Sequence, residues 1–326
     1  MTSTLTLTPE TRSGVIRILR SRQLLLFILI LAWCAVITIN QPRFLTVQNL
    51  LNVSDQAAIL AIPAAVMTLI IISAGIDLSV GSILALGGFV SATSLVAGMP
   101  PLFAIALGVL AGALIGASNG SSIAYLGIPA LIMTLAMLYI VRGGVLFLSK
   151  GETIASDFPD LYRYFGTGNF LGIPVPVLLS ILIFLACGLV LRQTRFGRYV
   201  IAIGTNEDVA RRAGINVRRV KLILYSASGA VAALSGVILA AKLNAATTNA
   251  GYGSELDVIA AVIIGGTSLF GGRGTIIGTA LGVIFLALLR NGLNLMGVSP
   301  FLQIFTVGLL LFISAMADVV YSRMQK

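Results

Sequence analysis

Four ionisable side chains interrupt long apolar stretches of this sequence, and they are the first place to look for chemistry. They are Asp77, Arg142, Asp257 and Arg290. An ionisable group inside a bilayer is costly and usually functional, for example in moving ions or protons. Each of the four lies near the end of an apolar stretch, and the sequence contains no histidine, the usual proton carrier near neutral pH. The sequence therefore indicates no proton relay, and Asp77 is the one plausible acid for ion coupling.

The sequence contains neither a nucleotide-binding motif nor a metalloprotease motif. An ATP-binding P-loop needs GxxxxGK[ST], and no lysine here is followed by serine or threonine. The stretch GTSLFGGRG (266–274) comes near the pattern but has Gly272 in place of the lysine. The zinc-protease motif HExxH is impossible without histidine. The sequence predicts no catalytic residue, no metal site and no cofactor bound by this chain.

The composition indicates the kind of element that must position these residues. The chain is 58% hydrophobic and only 10% charged, whereas about a quarter of the residues of a soluble domain are charged. The net charge of +10 sits in short segments between apolar runs, which excludes a nucleic-acid-binding face. We therefore expect an all-α, polytopic membrane protein.

The apolar runs predict about ten transmembrane helices, since each helix needs about 20 apolar residues to cross the bilayer core. The predicted spans are 23–39, 57–74, 80–98, 102–122, 128–148, 174–191, 222–241, 257–270, 275–290 and 300–318.

The distribution of basic residues predicts the orientation. The segment 192–221 holds eight basic and two acidic residues, whereas the loop 149–173 holds two basic and three acidic ones. Positive charge favours the cytoplasmic side, which places 192–221 there as a cytoplasmic loop. We expect a cytoplasmic segment 1–22, a single transmembrane domain 23–318 and a cytoplasmic tail 319–326.

Two glycine-containing breaks predict hinges or gates, because non-helical backbone survives at membrane depth only where protein or water satisfies it. In SAGIDLSVGSILALGG (73–88), one helix can end at a glycine and the next can be capped by an acid or a hydroxyl. The stretch AVIIGGTSLFGGRGTIIGTALG (261–282) repeats the theme. Tight turns between two spans remain the alternative. The hinge candidates are Gly75, Asp77, Ser79, Gly265, Gly266 and Gly271.

A charged, helix-prone segment, GTNEDVARRAGINVRR (204–219), interrupts the apolar sequence. Residues 205–213 predict a short helix that Thr205 or Asn206 caps, with acids in its first turn, arginines toward its end and Gly214 after it. Such a helix presents a rigid charged face that suits partner docking. A positive anchor alone would explain the arginines but not the caps.

Three stretches of this chain resemble the permease subunits of ribose-type sugar importers of the ATP-binding cassette class. They are SAGIDLSVGS (73–82), GTNEDVARRAGIN (204–216) and ELDVIAAVIIGGTSLFGGRGTIIGT (255–279), and NGLNLMGVS (291–299) adds support. The resemblance differs at three positions: Ala74 and Thr205 stand where that family usually has glycine, and Arg290 where it usually has asparagine. These differences leave the cargo open.

The resemblance implies a transmembrane permease that receives a monosaccharide from a periplasmic binding protein. It implies a second permease subunit, identical or not, and a cytoplasmic ATPase that uses ATP. It also implies residence in the bacterial inner membrane with both termini cytoplasmic, surrounded by lipid and without nucleic acid. Within 204–216, the coupling helix of the family, the residues implied to contact the ATPase are Asn206, Glu207, Asp208, Ala210, Arg211 and Gly214.

A route for a neutral sugar needs hydroxyls, amides and small residues more than fixed charge. The pathway candidates are Ser79, Ser82, Asn119, Thr134, Thr267, Ser268 and Asn294. Each of these also suits a hydrogen bond between helices, so the two readings stay open. The rival functions are a self-contained ion-coupled secondary transporter and a purely structural membrane protein.

Overall fold

The computed structural model describes residues 22–324, where the chain forms thirteen α-helices and four two-residue strands. The expected N-terminal segment, apart from Arg22, and the last two residues of the expected C-terminal tail lie outside the described residues. The predicted all-α class is confirmed. The helices are α1 (Arg22–Asn40), α2 (Val47–Ile72), α3 (Val80–Val96), α4 (Pro101–Tyr125), α5 (Ala130–Ser149), α6 (Asp160–Thr167), α7 (Val175–Gln193), α8 (Arg195–Thr205), α9 (Glu207–Arg212), α10 (Val217–Leu243), α11 (Ser254–Ile264), α12 (Ile276–Leu295) and α13 (Pro300–Met324).

Eight of the described helices are long and apolar enough to cross a membrane. They are α1, α2, α4, α5, α7, α10, α12 and α13. The apolar helix α3 is shorter, with 17 residues, and α11 has only 11. Eight long helices and these two shorter ones agree with the prediction of about ten passages.

The predicted continuous span 257–270 is wrong, because α11 ends at Ile264. The chain turns at Gly265 and Gly266, and Gly266 has φ +90°, a left-handed conformation that glycine adopts at little cost. The predicted span 57–74 covers only the second part of α2, which begins ten residues earlier at Val47. The start of α2 was not predicted because the polar side chains in its first turns lower the local hydropathy.

Two passages through the helix bundle are partly non-helical. Residues 73–79 lead from α2 to α3, and residues 244–253 lead from α10 to α11. Arg142 supports the second of these, since its guanidinium donates to the carbonyl oxygens of Thr248 (3.0 Å), Ala250 (2.8 Å) and Gly81 (3.0 Å). The bonds to Thr248 and Ala250 satisfy backbone oxygens that lie outside any helix. The expectation that Arg142 lies near a span end is wrong, because it is the thirteenth of the 20 residues of α5.

Small residues let α10 approach α3 and α4 closely. A Cβ added to Gly229 would lie 2.1 Å from the carbonyl oxygen of Gly112, and one added to Gly236 would lie 1.8 Å from that of Leu84. Backbone contact of this kind is how apolar helices gain packing energy where lipid removes the hydrophobic drive. These three helices form the rigid centre of the fold.

The ends of the helices define two faces of the molecule. On one face, β1 (Ile154–Ala155) pairs antiparallel with β4 (Ala245–Ala246), and β2 (Asn169–Phe170) pairs with β3 (Ile173–Pro174). The short helix α9 lies at the opposite end of α10. We call these the strand face and the α9 face.

Candidate functional site

The two predicted hinges contact each other at the α9 face. The backbone N–H of Gly272 donates to the carbonyl oxygen of Ile72 at 2.8 Å. Gly271 has φ +82°, and a Cβ added to it would lie 2.7 Å from the carbonyl oxygen of Gly204 and 2.8 Å from the Cβ of Ala74. The turn after α2, the turn after α11 and the end of α8 therefore meet at one point.

Asp77 organises the first hinge. Its Oδ1 accepts hydrogen bonds from the N–H (3.0 Å) and the hydroxyl (2.6 Å) of Ser79, and its Oδ2 accepts one from the hydroxyl of Ser228 on α10 (2.8 Å). Asn119 donates its amide to the Ser79 hydroxyl at 2.9 Å. All four side chains are buried. Asp77 thus fixes the residue that precedes α3, while the Ser79 side chain makes no capping bond to α3.

The backbone at the first hinge is strained at one position. Ala74 has φ +58°, the left-handed region in which a Cβ crowds the backbone. Gly75 follows it in a confined place, since an added Cβ would lie 2.8 Å from the hydroxyl oxygen of Tyr225.

Most of the predicted pathway residues are buried between helices, where their side chains pack against the protein. Ser82 donates to the carbonyl oxygen of Ser79 and Thr134 to that of Ala130, both at 2.8 Å and both within a helix turn. Ser268 donates to Asp318 at 3.0 Å. Thr267 is fully buried, and its hydroxyl has no hydrogen-bond partner in the part of the chain that the structure describes.

A cavity with a volume of about 540 Å³ is bounded mainly by α2, α11, α12 and α13. This size suits a small ligand, since ligand sites typically measure about 300–1,000 Å³. Of the seven pathway candidates, Asn294 is the one that lines it. The polar side chains that line it are Gln56, Ser254, Asp257, Arg290, Asn291, Asn294 and Gln303.

An ion pair lies in the wall of this cavity. Nη2 of Arg290 on α12 lies 2.6 Å from Oδ1 of Asp257 in the first turn of α11. The sequence had marked both residues as ionisable groups near span ends, and it had not joined them. They are 33 residues apart, so no helical spacing links them. The only feature of the sequence that could have indicated this ion pair is that the two residues carry opposite charges in neighbouring apolar segments.

Amide side chains hold the cavity wall beside the ion pair. Asn291 and Asn49 exchange hydrogen bonds of 2.8 and 3.0 Å across α12 and α2. Gln303 donates to the carbonyl oxygen of Val298 at 3.0 Å. Gln56, Asn291 and Gln303 are not predictable as site residues from the sequence, because single amides near the ends of apolar stretches look like ordinary interfacial residues.

The charged segment folds as a short, tied helix, α9, whose bounds 207–212 lie inside the predicted 205–213. The side chain of Asn206 accepts the N–H of Val209 at 3.0 Å, which makes Asn206 the N-cap. Gly214 follows with φ +83°, and the N–H of Ile215 returns to the carbonyl oxygen of Ala210 at 3.1 Å. This is the helix end that a left-handed glycine permits.

Glu207 joins α9 to α10. Its carboxylate lies 2.8 Å from Arg211 within α9 and 2.6 Å from Lys221 on α10. Burial by itself raises the pKa of Glu207, but Lys221 and Arg211 outweigh burial and hold the pKa below its ordinary value. Ala210 is buried and Val209 is exposed, so one side of α9 packs on the protein and the other faces outward.

The chain is similar to a family model and to several named proteins over most of its length, which includes both the cavity and α9. The family model described as "Branched-chain amino acid transport system / permease component" matches residues 49–315. The ribose import permease protein RbsC of Escherichia coli is 42% identical over 294 residues, which cover 89% of this chain and 92% of the relative. RbsC of Bacillus subtilis is 44% identical over 294 residues, covering 90% of each. The D-allose transport system permease protein AlsC of Escherichia coli is 35% identical over 287 residues, covering 88% of each. No solved structure matches the chain.

Proposed function

This chain belongs to the family of transport-system permease components, and we propose on that basis that it forms the membrane pathway of an ATP-driven importer for a neutral monosaccharide. It is a permease subunit of a sugar importer of the ATP-binding cassette class, and its family is one of transporters and not of enzymes. It is a multi-pass inner-membrane protein. The relatives named for ribose and D-allose support an aldose as the cargo.

The observation that carries the proposal is the polar cavity between α2, α11, α12 and α13. It offers amides, a hydroxyl and one balanced ion pair, which are the groups that bind uncharged hydroxyls. Its two charged side chains, Asp257 and Arg290, cancel. Asn294 lines this cavity, which supports its predicted role in the pathway. The buried candidates Ser79, Ser82 and Asn119 act in this proposal by holding the first hinge.

The proposed ATPase contact is the exposed side of α9. Its caps and the tie from Glu207 to Lys221 give it a fixed shape, and Gly204 of the adjoining α8 packs against both hinges. A push on α9 would therefore reach the turns that border the passages. Of the predicted set, we assign the ATPase-contacting role to Asn206, Glu207, Asp208, Arg211 and Gly214. The predicted contact at Ala210 does not fit, because this residue is buried and packs α9 on the protein.

The proposed orientation puts the α9 face in the cytoplasm, together with both termini. The excess of basic residues in 192–221 supports this direction. The proposed periplasmic binding protein then docks at the strand face, toward which the cavity lies. A second permease subunit would cover part of the apolar surface of α13, on which Phe301, Phe305 and Phe312 are exposed.

The ion-coupled alternative gains no support from the geometry of Asp77. Its carboxylate is fully buried, accepts three hydrogen bonds and does not line the large cavity. An acid that carries an ion across the membrane needs access to the route. Asp77 instead holds the hinge.

The test is reconstitution of the chain in proteoliposomes with the ATPase and binding protein of the same importer. We expect uptake of radiolabelled D-ribose, D-allose or L-arabinose that requires ATP inside the vesicles and resists ionophores. Vesicles without the permease are the control. The chain alone should neither bind nor hydrolyse ATP. Sugar uptake by the chain alone, driven by an ion gradient, would replace this proposal with the ion-coupled one.

A further inference from the structure

We propose that Asp257 and Arg290 together recognise neighbouring hydroxyl groups of the sugar and make the cavity reject negatively charged sugars. This inference rests on the proposed function, because it names the chemistry by which the pathway accepts its cargo. The pair is the one place where charge meets the cavity: among the lining residues, only these two side chains are ionisable.

The geometry of the pair leaves hydrogen-bonding capacity toward the cavity. The 2.6 Å contact uses one N–H of the guanidinium and one oxygen of the carboxylate. A guanidinium has five N–H donors, and a carboxylate accepts at both oxygens. The Arg290 side chain keeps 42% of its surface exposed and that of Asp257 keeps 18%, so both present free positions to a ligand.

Adjacent sugar hydroxyls match this arrangement. A hydroxyl both donates and accepts, so one hydroxyl can accept from Arg290 while its neighbour donates to Asp257. Bonds to ionised groups are shorter and stronger than bonds between neutral groups. The amides of Gln56 and Asn294 line the same cavity and can bind further hydroxyls.

The charge balance gives the selectivity. The cavity wall carries +1 from Arg290 and −1 from Asp257, a sum of zero. A sugar carboxylate that approaches Arg290 meets the competing carboxylate of Asp257 at once, and it has no spare cation to pair with. Removal of the Asp257 charge changes the sum to +1, which should admit an anion.

A purely structural role for the pair is the competing explanation, because it also ties α11 to α12. Arg290→Lys separates the two roles. Lysine keeps the positive charge and can keep the ion pair, but it loses the planar fork of donors. The matched control is Lys242→Arg, which alters another half-buried pair, Asp55–Lys242, outside the lining of this cavity.

The measurement is the shift in thermal unfolding of the full-length chain in detergent as D-ribose, D-allose or L-arabinose is added, since a ligand of the folded state raises the midpoint. For the sugar that shifts the wild type most, Arg290→Lys should weaken the apparent Kd by about tenfold, the effect of losing one charge-assisted hydrogen bond. Its midpoint without sugar should stay at the wild-type value. Lys242→Arg should bind as the wild type does.

Asp257→Asn supplies the second arm, with D-ribonate, the carboxylate analogue of ribose, as the probe. We expect D-ribonate to stabilise this variant and not the wild type, while its binding of the neutral sugar weakens. If Asp257→Asn fails to fold, the Arg290→Lys result decides by itself.

Sugar binding by Arg290→Lys equal to that of the wild type would overturn the inference, and so would the absence of a sugar shift in the wild type. Neither result touches the proposed function, which ATP-dependent uptake by the reconstituted importer tests separately.

Discussion

The backbone N–H of Gly272 donates a 2.8 Å hydrogen bond to the carbonyl oxygen of Ile72, and this contact joins the two predicted hinges. Gly204 at the end of α8 fits against the same two atoms: a Cβ there would lie 1.7 Å from the Ile72 oxygen and 2.6 Å from the Gly272 nitrogen. The helix that docks the ATPase in our proposal begins three residues later. We therefore expect this junction to transmit movement between α9 and the passages.

Gly204→Ala should break this link. The added methyl group meets backbone atoms that have no flexible side chain to yield, so we expect a loss of stability of about 1–3 kcal/mol or more and loss of ATP-driven uptake. The control is Gly144→Ala in α5, where a Cβ meets nothing within 4 Å and where alanine favours a helix. Thermal unfolding in detergent and uptake measure both. Wild-type uptake by Gly204→Ala would mean that the junction does not transmit movement.

Ala74→Gly should stabilise the protein. Ala74 is held at φ +58°, and relief of that crowding is worth roughly 1 kcal/mol after the greater freedom of glycine in the unfolded chain is counted. Ala97→Gly is the control, because Ala97 has the ordinary φ of −75° and can only lose stability. Unfolding midpoints that fall for both variants would contradict the strain at position 74.

Asp77→Asn should keep most of the transport activity, because asparagine can still accept the N–H of Ser79. Asp77→Leu should lose more, since it removes the acceptor of three buried hydrogen bonds, and each polar group left unpaired costs about 1–3 kcal/mol. Uptake by the reconstituted importer is the measurement. Equal and complete loss in both variants would favour ion coupling through this acid.

The tie from Glu207 to Lys221 should depend on pH. The pKa of Glu207 is lower in the folded protein than in the unfolded chain, so its stabilising effect is complete above the unfolded value of about 4.3. That effect disappears as the pH falls through the folded pKa. We expect Glu207→Gln to melt below the wild type at pH 7, and the difference between the two midpoints to shrink as the pH falls below about 4.3 and on through the lower folded pKa. A constant difference across this range would show that Glu207 acts by something other than its charge.

Gly214→Val should insert in the membrane normally but weaken ATPase association and uptake. A β-branched residue at φ +83° costs roughly 1–2 kcal/mol, and the open space beside Gly214 is where a partner surface would approach. Arg219→Lys keeps the local charge and should be nearly silent. Co-purification of the ATPase with each variant is the measurement. If Gly214→Val retains its ATPase and transports normally, the 204–216 segment is only a topological anchor.

The sequence by itself determined the all-α membrane class, about ten passages and the short capped helix α9, because apolar length and capping act over a few neighbouring residues. Asn206 could be placed at the N-cap of α9, Arg211 near its end and Gly214 after it from spacing alone. The glycine-rich stretches likewise located the non-helical turns 73–79 and 265–275, since Gly75 and Gly271 interrupt apolar runs; that these turns act as hinges stays a prediction.

The tertiary structure alone decided which distant residues meet. The pairing of Asp257 with Arg290 and the contact of Gly272 with Ile72 depend on how α2, α11 and α12 pack, and no local pattern records that packing. The hydroxyls of Ser79 and Thr134 show the same limit, because polar residue type does not tell a cavity wall from a helix contact. A hydrogen bond inside a membrane protein satisfies a polar group equally well in either place, and only the shape of the bundle separates the two.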